Sequence, residues 1–108
     1  MTKKSNLFGA PLLELDAARS AVERALGRPM ELHESAYRGG DYFRLEKTGV
    51  KLVLQTNFME DDGEVAEAEY PDADVLLYLD GDSNDVDEMA ALVTARLSSF
   101  KLLRTSTY

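Results

Sequence analysis

The sequence contains no cysteine, no tryptophan, a single histidine and only three prolines in 108 residues. Without cysteine there can be no disulfide, no thiolate nucleophile, no iron–sulfur cluster and no cysteine-based zinc site. No apolar run approaches the about 18 residues of a membrane-spanning helix. Internal repeats, low-complexity tracts and Pro/Ser-rich linkers are also absent, so residues 1–108 read as one domain, within the usual range of about 100–150 residues. Phosphate-binding glycine motifs are missing: Gly39 and Gly40 are a lone pair, which a β-turn explains. Most informative is a local absence of bases. From Leu52 to Ala95 there are thirteen Asp and Glu and not one Lys or Arg.

The net charge of −8 is therefore concentrated in one block, and both flanking segments carry a small excess of bases. Such a field repels nucleic acid and anionic membrane and attracts basic surfaces. At the N-terminus, Lys3 and Lys4 imitate the charged start of a signal peptide. Gly9 and Pro11 interrupt the apolar stretch that follows, and Glu14 and Asp16 close it, so a cytoplasmic location is expected.

Apolar periodicity supplies the elements. Leu15, Ala18, Val22 and Ala25/Leu26 recur at helical spacing, with Asp16 or Pro11 as the start and Gly27 and Pro29 as the stop. Residues 30–37 alternate as a strand. Gly39-Gly40 turns into a second strand, and Thr48-Gly49 turns into a third, in which Val50, Leu52, Leu54 and Thr56 share one face and Val53 lies on the other. Residues 75–81 read as a short buried strand. Val86, Met89, Ala90, Val93 and Leu97 mark a second helix, for which Asp85 and Glu88 form a capping pair. A final strand begins near Phe100. The expected fold is α+β, in the order α-β-β-β-β-α-β, with a largely antiparallel sheet and both helices on one face.

Between the fourth strand and its predecessor lies "FMEDDGEVAEAEYPDAD", residues 58–74, with eight acids, no base and no sustained period. It reads as a long loop, and loops beyond about 12–15 residues tend to be functional or disordered. Four chemistries compete for it and for the other polar residues. For metal, Asp80, Asp82 and Asn84 begin like a calcium loop, but Asp85 and Ala91 stand where the glycine and the closing glutamate belong, so a strand–turn–helix junction is expected. The adjacent Glu60, Asp61 and Asp62 have no histidine to assist them. For catalysis, His33 and Ser35 share a strand face, yet nothing marks Ser35 as a nucleophile and no third group orients the pair. Acids on a solvated loop have ordinary acidity and lack the apolar cleft that general acid catalysis needs. Leu45-Glu46-Lys47 lacks the spacing of a nuclease site. Arg38 and Arg44 among Tyr37, Tyr42 and Phe43 resemble a stacking surface for RNA, against which the overall charge argues.

What remains is either a solvated, solubilising loop, as a charge run usually is, or, the sharper reading, a docking surface for a positively charged protein. Acids supply the attraction, and Phe58, Met59 and Tyr70 supply the apolar and aromatic anchors that hot spots favour. The residues expected to meet the partner are Phe58, Glu60, Asp61, Asp62, Glu64, Glu67, Glu69, Tyr70 and Asp72. No catalytic residue, cofactor or metal is expected, and neither nucleic acid nor membrane is an expected partner.

The stretches "SAYRGGDYFRL" and "VKLVLQTNF", the latter ending in Leu54, Gln55 and Asn57, and then "DDGEVAEAEYPDADVLLYLDG", are similar to small acidic bacterial proteins that accompany toxins: the immunity proteins of polymorphic or contact-dependent toxin systems. The similarity spans roughly residues 16–104. It implies a cytoplasmic, non-catalytic protein that neutralises one cognate toxin, often a basic nuclease, by covering its active site. Immunity families span unrelated folds, so the fold expectation is unchanged. The alternative is a small α+β enzyme or ligand-binding protein with a pocket between sheet and helices near His33, Tyr37 or Tyr42, arranged as a homodimer through its sheet. A third option is a self-associating module, whose mark is a sheet face left apolar and bare.

Overall fold

A computed structural model describes residues 2–35, 40–47, 49–58 and 66–108. The elements are β1 (Lys3–Ala10), α1 (Leu15–Leu26), β2 (Glu31–Ser35), β3 (Gly40–Lys47), β4 (Val50–Thr56), β5 (Val75–Asp82), α2 (Ser83–Arg96) and β6 (Lys101–Thr107). All six strands form one antiparallel sheet in the order β2-β3-β4-β5-β1-β6. The class is α+β, and the run α-β-β-β-β-α-β is present as expected, but a further strand precedes it. That strand, β1, is not peripheral. It lies between β5 and β6, pairing Lys3–Ala10 with Asp82–Val75 on one side and with the C-terminal strand on the other.

Helices α1 and α2 cover one face of the sheet. Alternate residues of β4 and β5, namely Val50, Leu52, Leu54, Val75, Leu77 and Leu79, are buried there with Phe8 of β1 and Phe43 and Leu45 of β3. Ala18 and Val22 of α1 and Val86, Met89 and Val93 of α2 complete this core. Its existence follows from the sequence pattern: period two on the strands and three-to-four on the helices converge on one layer. α1 ends at Gly27, whose N–H still bonds the carbonyl of Glu23 and whose left-handed backbone (φ 69°) then turns the chain out of the helix.

The helix starts differ from the sequence expectation. α1 is preceded by Glu14, which makes no side-chain cap bond, and Asp16 lies within the first turn. α2 begins earlier than expected, with Asp82 at its N-cap and Asp85 inside its first turn. Neither aspartate is therefore the cap residue expected, but both lie in a first turn, where a negative charge is favourable against the helix dipole. No helix among the described residues is long and apolar enough to cross a membrane.

Candidate functional site

The segment after β4 is attached to the sheet through a buried asparagine. Asn57 is 2% exposed. Its side-chain N–H groups donate to the carbonyls of Tyr70 (2.9 Å) and Ala73 (2.8 Å), and its Oδ1 accepts from the N–H of Glu67 (2.8 Å). Its backbone N–H donates to the carbonyl of Asp74, and its carbonyl accepts from Ala66. One side chain thus serves residues 66–74, which have no helix or strand of their own to pair their backbone groups.

Held in this way, residues 66–73 fold onto the sheet face opposite the helices. Ala66, Tyr70 and Ala73 pack against Leu7 of β1, Leu76 and Tyr78 of β5, and Leu103 of β6. The part of the acidic stretch that is described is therefore half cover and half surface, rather than a loop solvated throughout. Over these strands it occupies the face that a self-associating module would leave bare.

The nine sequence-predicted docking residues divide accordingly. Glu60, Asp61, Asp62 and Glu64 lie outside the described residues. Glu67 is turned inward. Arg104 grips its carboxylate with both guanidinium nitrogens (3.1 and 3.2 Å), and the Tyr78 hydroxyl donates to it at 2.8 Å. The hydrogen bond to Glu67 raises the Arg104 pKa above its ordinary value, and partial desolvation opposes this. Fork-to-fork pairing of this kind fixes geometry as well as charge. Tyr70 is also turned in, its hydroxyl donating to the Leu103 carbonyl at 2.9 Å. Glu69 and Asp72 are exposed, and neither forms an ion pair with a described residue. Phe58, next to Asn57, is 54% exposed.

One residue that sequence reasoning passed over, Leu12, joins this region. Leu12 is 95% exposed and holds a left-handed backbone (φ 53°), uncommon outside glycine. Its N–H donates to the Asp74 carboxylate at 2.8 Å, which ties the β1–α1 turn to the end of the acidic segment. The backbone of Asp74 reinforces the tie by donating to the Ala10 carbonyl. Only a tertiary contact across more than sixty residues could have disclosed Leu12, and no local signal announces it. A groove of about 280 Å³ lies beside this turn, between residues 69–73 and the start of β6.

The alternative site looks different. The His33 ring stacks on Tyr42 (5.4 Å between centroids), and its Nε2 lies 3.4 Å from the Glu31 carboxylate. Arg44 is paired with Glu46 on the same face. Tyr37 lies outside the described residues. The space between sheet and helices is occupied by the apolar core, with Phe8, Leu52, Leu54, Leu77, Val22 and Val86 all below 2% exposure. Compared with protein-family profiles and with curated proteins, the chain matches none.

Proposed function

We propose that this is a non-enzymatic binding protein, an immunity-type inhibitor that neutralises a basic toxin by presenting the surface of residues 58–74 and the adjoining β1–α1 turn. One observation carries the reading: Glu69 and Asp72 stand exposed and unpaired among the described residues, on a segment whose backbone is fixed from below by Asn57. A surface ordered before the partner arrives loses less entropy on binding. Exposed Phe58 and Leu12 supply apolar anchors within the same region, and unpaired carboxylates supply attraction that speeds encounter. The filled sheet–helix layer counts against the reading as a pocket enzyme. The surface fits covering of a partner's basic cleft in the bacterial cytoplasm better than it fits chemistry.

Calorimetry of the full chain against the product of the neighbouring toxin gene tests this. Binding is expected to weaken steeply with salt and to be lost when Glu60, Asp61, Asp62 and Glu64 are changed together to lysine. Affinity indifferent to those changes, or no association at physiological ionic strength, would remove the proposal.

A further inference from the structure

The groove beside the acidic segment has a composition that narrows what enters it. Pro11, Pro71, the Tyr70 ring and Leu103 give it apolar walls, and Glu69 and Asp72 stand along it as carboxylates. Its shape is built in. The Tyr70 hydroxyl is anchored on the Leu103 carbonyl, so the ring and β6 hold a fixed separation, and Asn57 grips the carbonyls of Tyr70 and Ala73 behind them. Other concavities differ in character. One is lined by Arg28 and Arg44 together with Glu31 and Glu46, and another by Arg24 and Arg28 with Glu23, so neither offers uncompensated negative charge.

Apolar walls bordered by free carboxylates match one kind of side chain: a long aliphatic stem carrying a cation. Lysine and arginine bury their methylenes and keep the charged head where acid or water can meet it. We infer that this groove receives a lysine or arginine side chain of the basic protein partner, the stem lying against Tyr70 and Leu103 and the cation reaching Glu69 and Asp72. The inference rests on the function proposed above and adds to it an anchor point. Lys101 also lines the groove, yet it forms no ion pair with either acid among the described residues. Its ammonium therefore opposes the incoming cation and sets a limit on affinity.

The test uses the full-length protein labelled with ¹⁵N, titrated at low salt with N-acetyl-arginine N-methylamide. The citrulline counterpart, equal in shape and uncharged, serves as the control. Saturable amide shifts are expected at Gly9, Tyr70, Ala73 and Leu103 with the arginine compound and none with citrulline. Glu69→Gln/Asp72→Asn, both surface changes, should weaken the arginine binding about tenfold, the scale of one charged hydrogen bond. Lys101→Ala should strengthen it roughly twofold to fivefold, the scale of one exposed charge pair. Equal response to citrulline, shifts that spread over the acidic surface without saturating, or no shift at the groove would overturn the inference. Toxin binding in calorimetry separates the two readings. If the toxin binds in a salt-sensitive manner while the arginine compound leaves the groove unmoved, the docking function stands and the groove assignment falls. If the groove saturates and the toxin does not bind, the reverse holds.

Discussion

Asn57 takes the place of a missing element of secondary structure. Its amide has two donors and one acceptor carbonyl, and all are used on the backbone of residues 67–73. Alanine at this position would leave the carbonyls of Tyr70 and Ala73 and the N–H of Glu67 to find water in a space that is largely closed. Each buried group left unpaired costs about 1–3 kcal/mol, with partial relief from relaxation, so Asn57→Ala is expected to destabilise the protein by about 2–4 kcal/mol in urea unfolding. Tyrosine fluorescence should change with it, since Tyr70 is seated by the same network. A loss below about 0.5 kcal/mol would mean that the segment is held mainly by its apolar contacts. The sequence singled out the strand end of Leu54, Gln55 and Asn57 without disclosing its use. An asparagine next to a strand reads as a turn residue, and only coordinates reveal that its partners lie ten to sixteen residues on.

At the scale of elements, the two helices and β2 to β4 were legible from their periods and β5 from its short apolar run, which is buried on both faces, whereas β6 is mostly exposed and carries no buried face. β1 was not legible, for a physical reason. Its residues Leu7, Phe8, Gly9 and Ala10 are buried whichever way they point, between α2 on one side and residues 66–73 on the other, so no alternation survives. Asn6 and Gly9 are also poor strand formers, and buried Asn6 has its Oδ1 satisfied by the Thr105 hydroxyl of β6 at 2.5 Å. Gly9 is explained by the cover. A β-carbon there would lie 2.6 Å from Leu103 Cδ1 and 2.9 Å from Ala73 Cβ, so the bare backbone is what lets the segment and β6 close over β1. Gly9→Ala is therefore expected to cost about 1–3 kcal/mol, as overpacking does. Leu103→Ala in the same chain should relieve part of that cost by removing the nearest atom. A double-mutant cycle from denaturant melts checks this, and strict additivity of the two changes would contradict the geometry. Arg104 makes a second element-scale prediction. Arg104→Met keeps the stem but leaves Glu67, 16% exposed in its side chain, without its cation. The segment should then loosen, seen as faster amide exchange at Glu67 and Tyr70, whereas a merely decorative surface pair would leave exchange unchanged.

Over the whole molecule the acidic block and the two basic ends are joined. Lys3 pairs with Asp82, Lys4 with Asp87 and Arg104 with Glu67, so both terminal strands are tied by charge to the middle of the chain. Sequence counting located the imbalance but not this partial repair, because the pairs bring together residues some forty to eighty positions apart. The repair is incomplete: of nine described acids in the block, only Glu67, Asp82 and Asp87 reach a base. The hydrogen bond to Asp82 raises the Lys3 pKa above its ordinary 10.5. A base with a raised pKa contributes fully below its unfolded value and loses that contribution only as the pH climbs past the folded one. The stability difference between the native chain and Lys3→Met should therefore be flat across neutral and mildly alkaline pH. Salt then decides between two opposed effects. Screening weakens these exposed ion pairs, and it also relieves repulsion among the acids that have no partner. With a net charge of −8 the second effect wins. Raising NaCl from about 10 to 150 mM, which shortens the screening length from about 30 to 8 Å, is expected to raise the thermal midpoint by about 2–4 °C. The same salt should slow association with a basic partner. A midpoint that falls with salt would mean that the cross-chain pairs outweigh the repulsion, and that the charge is arranged mainly to hold the termini in place.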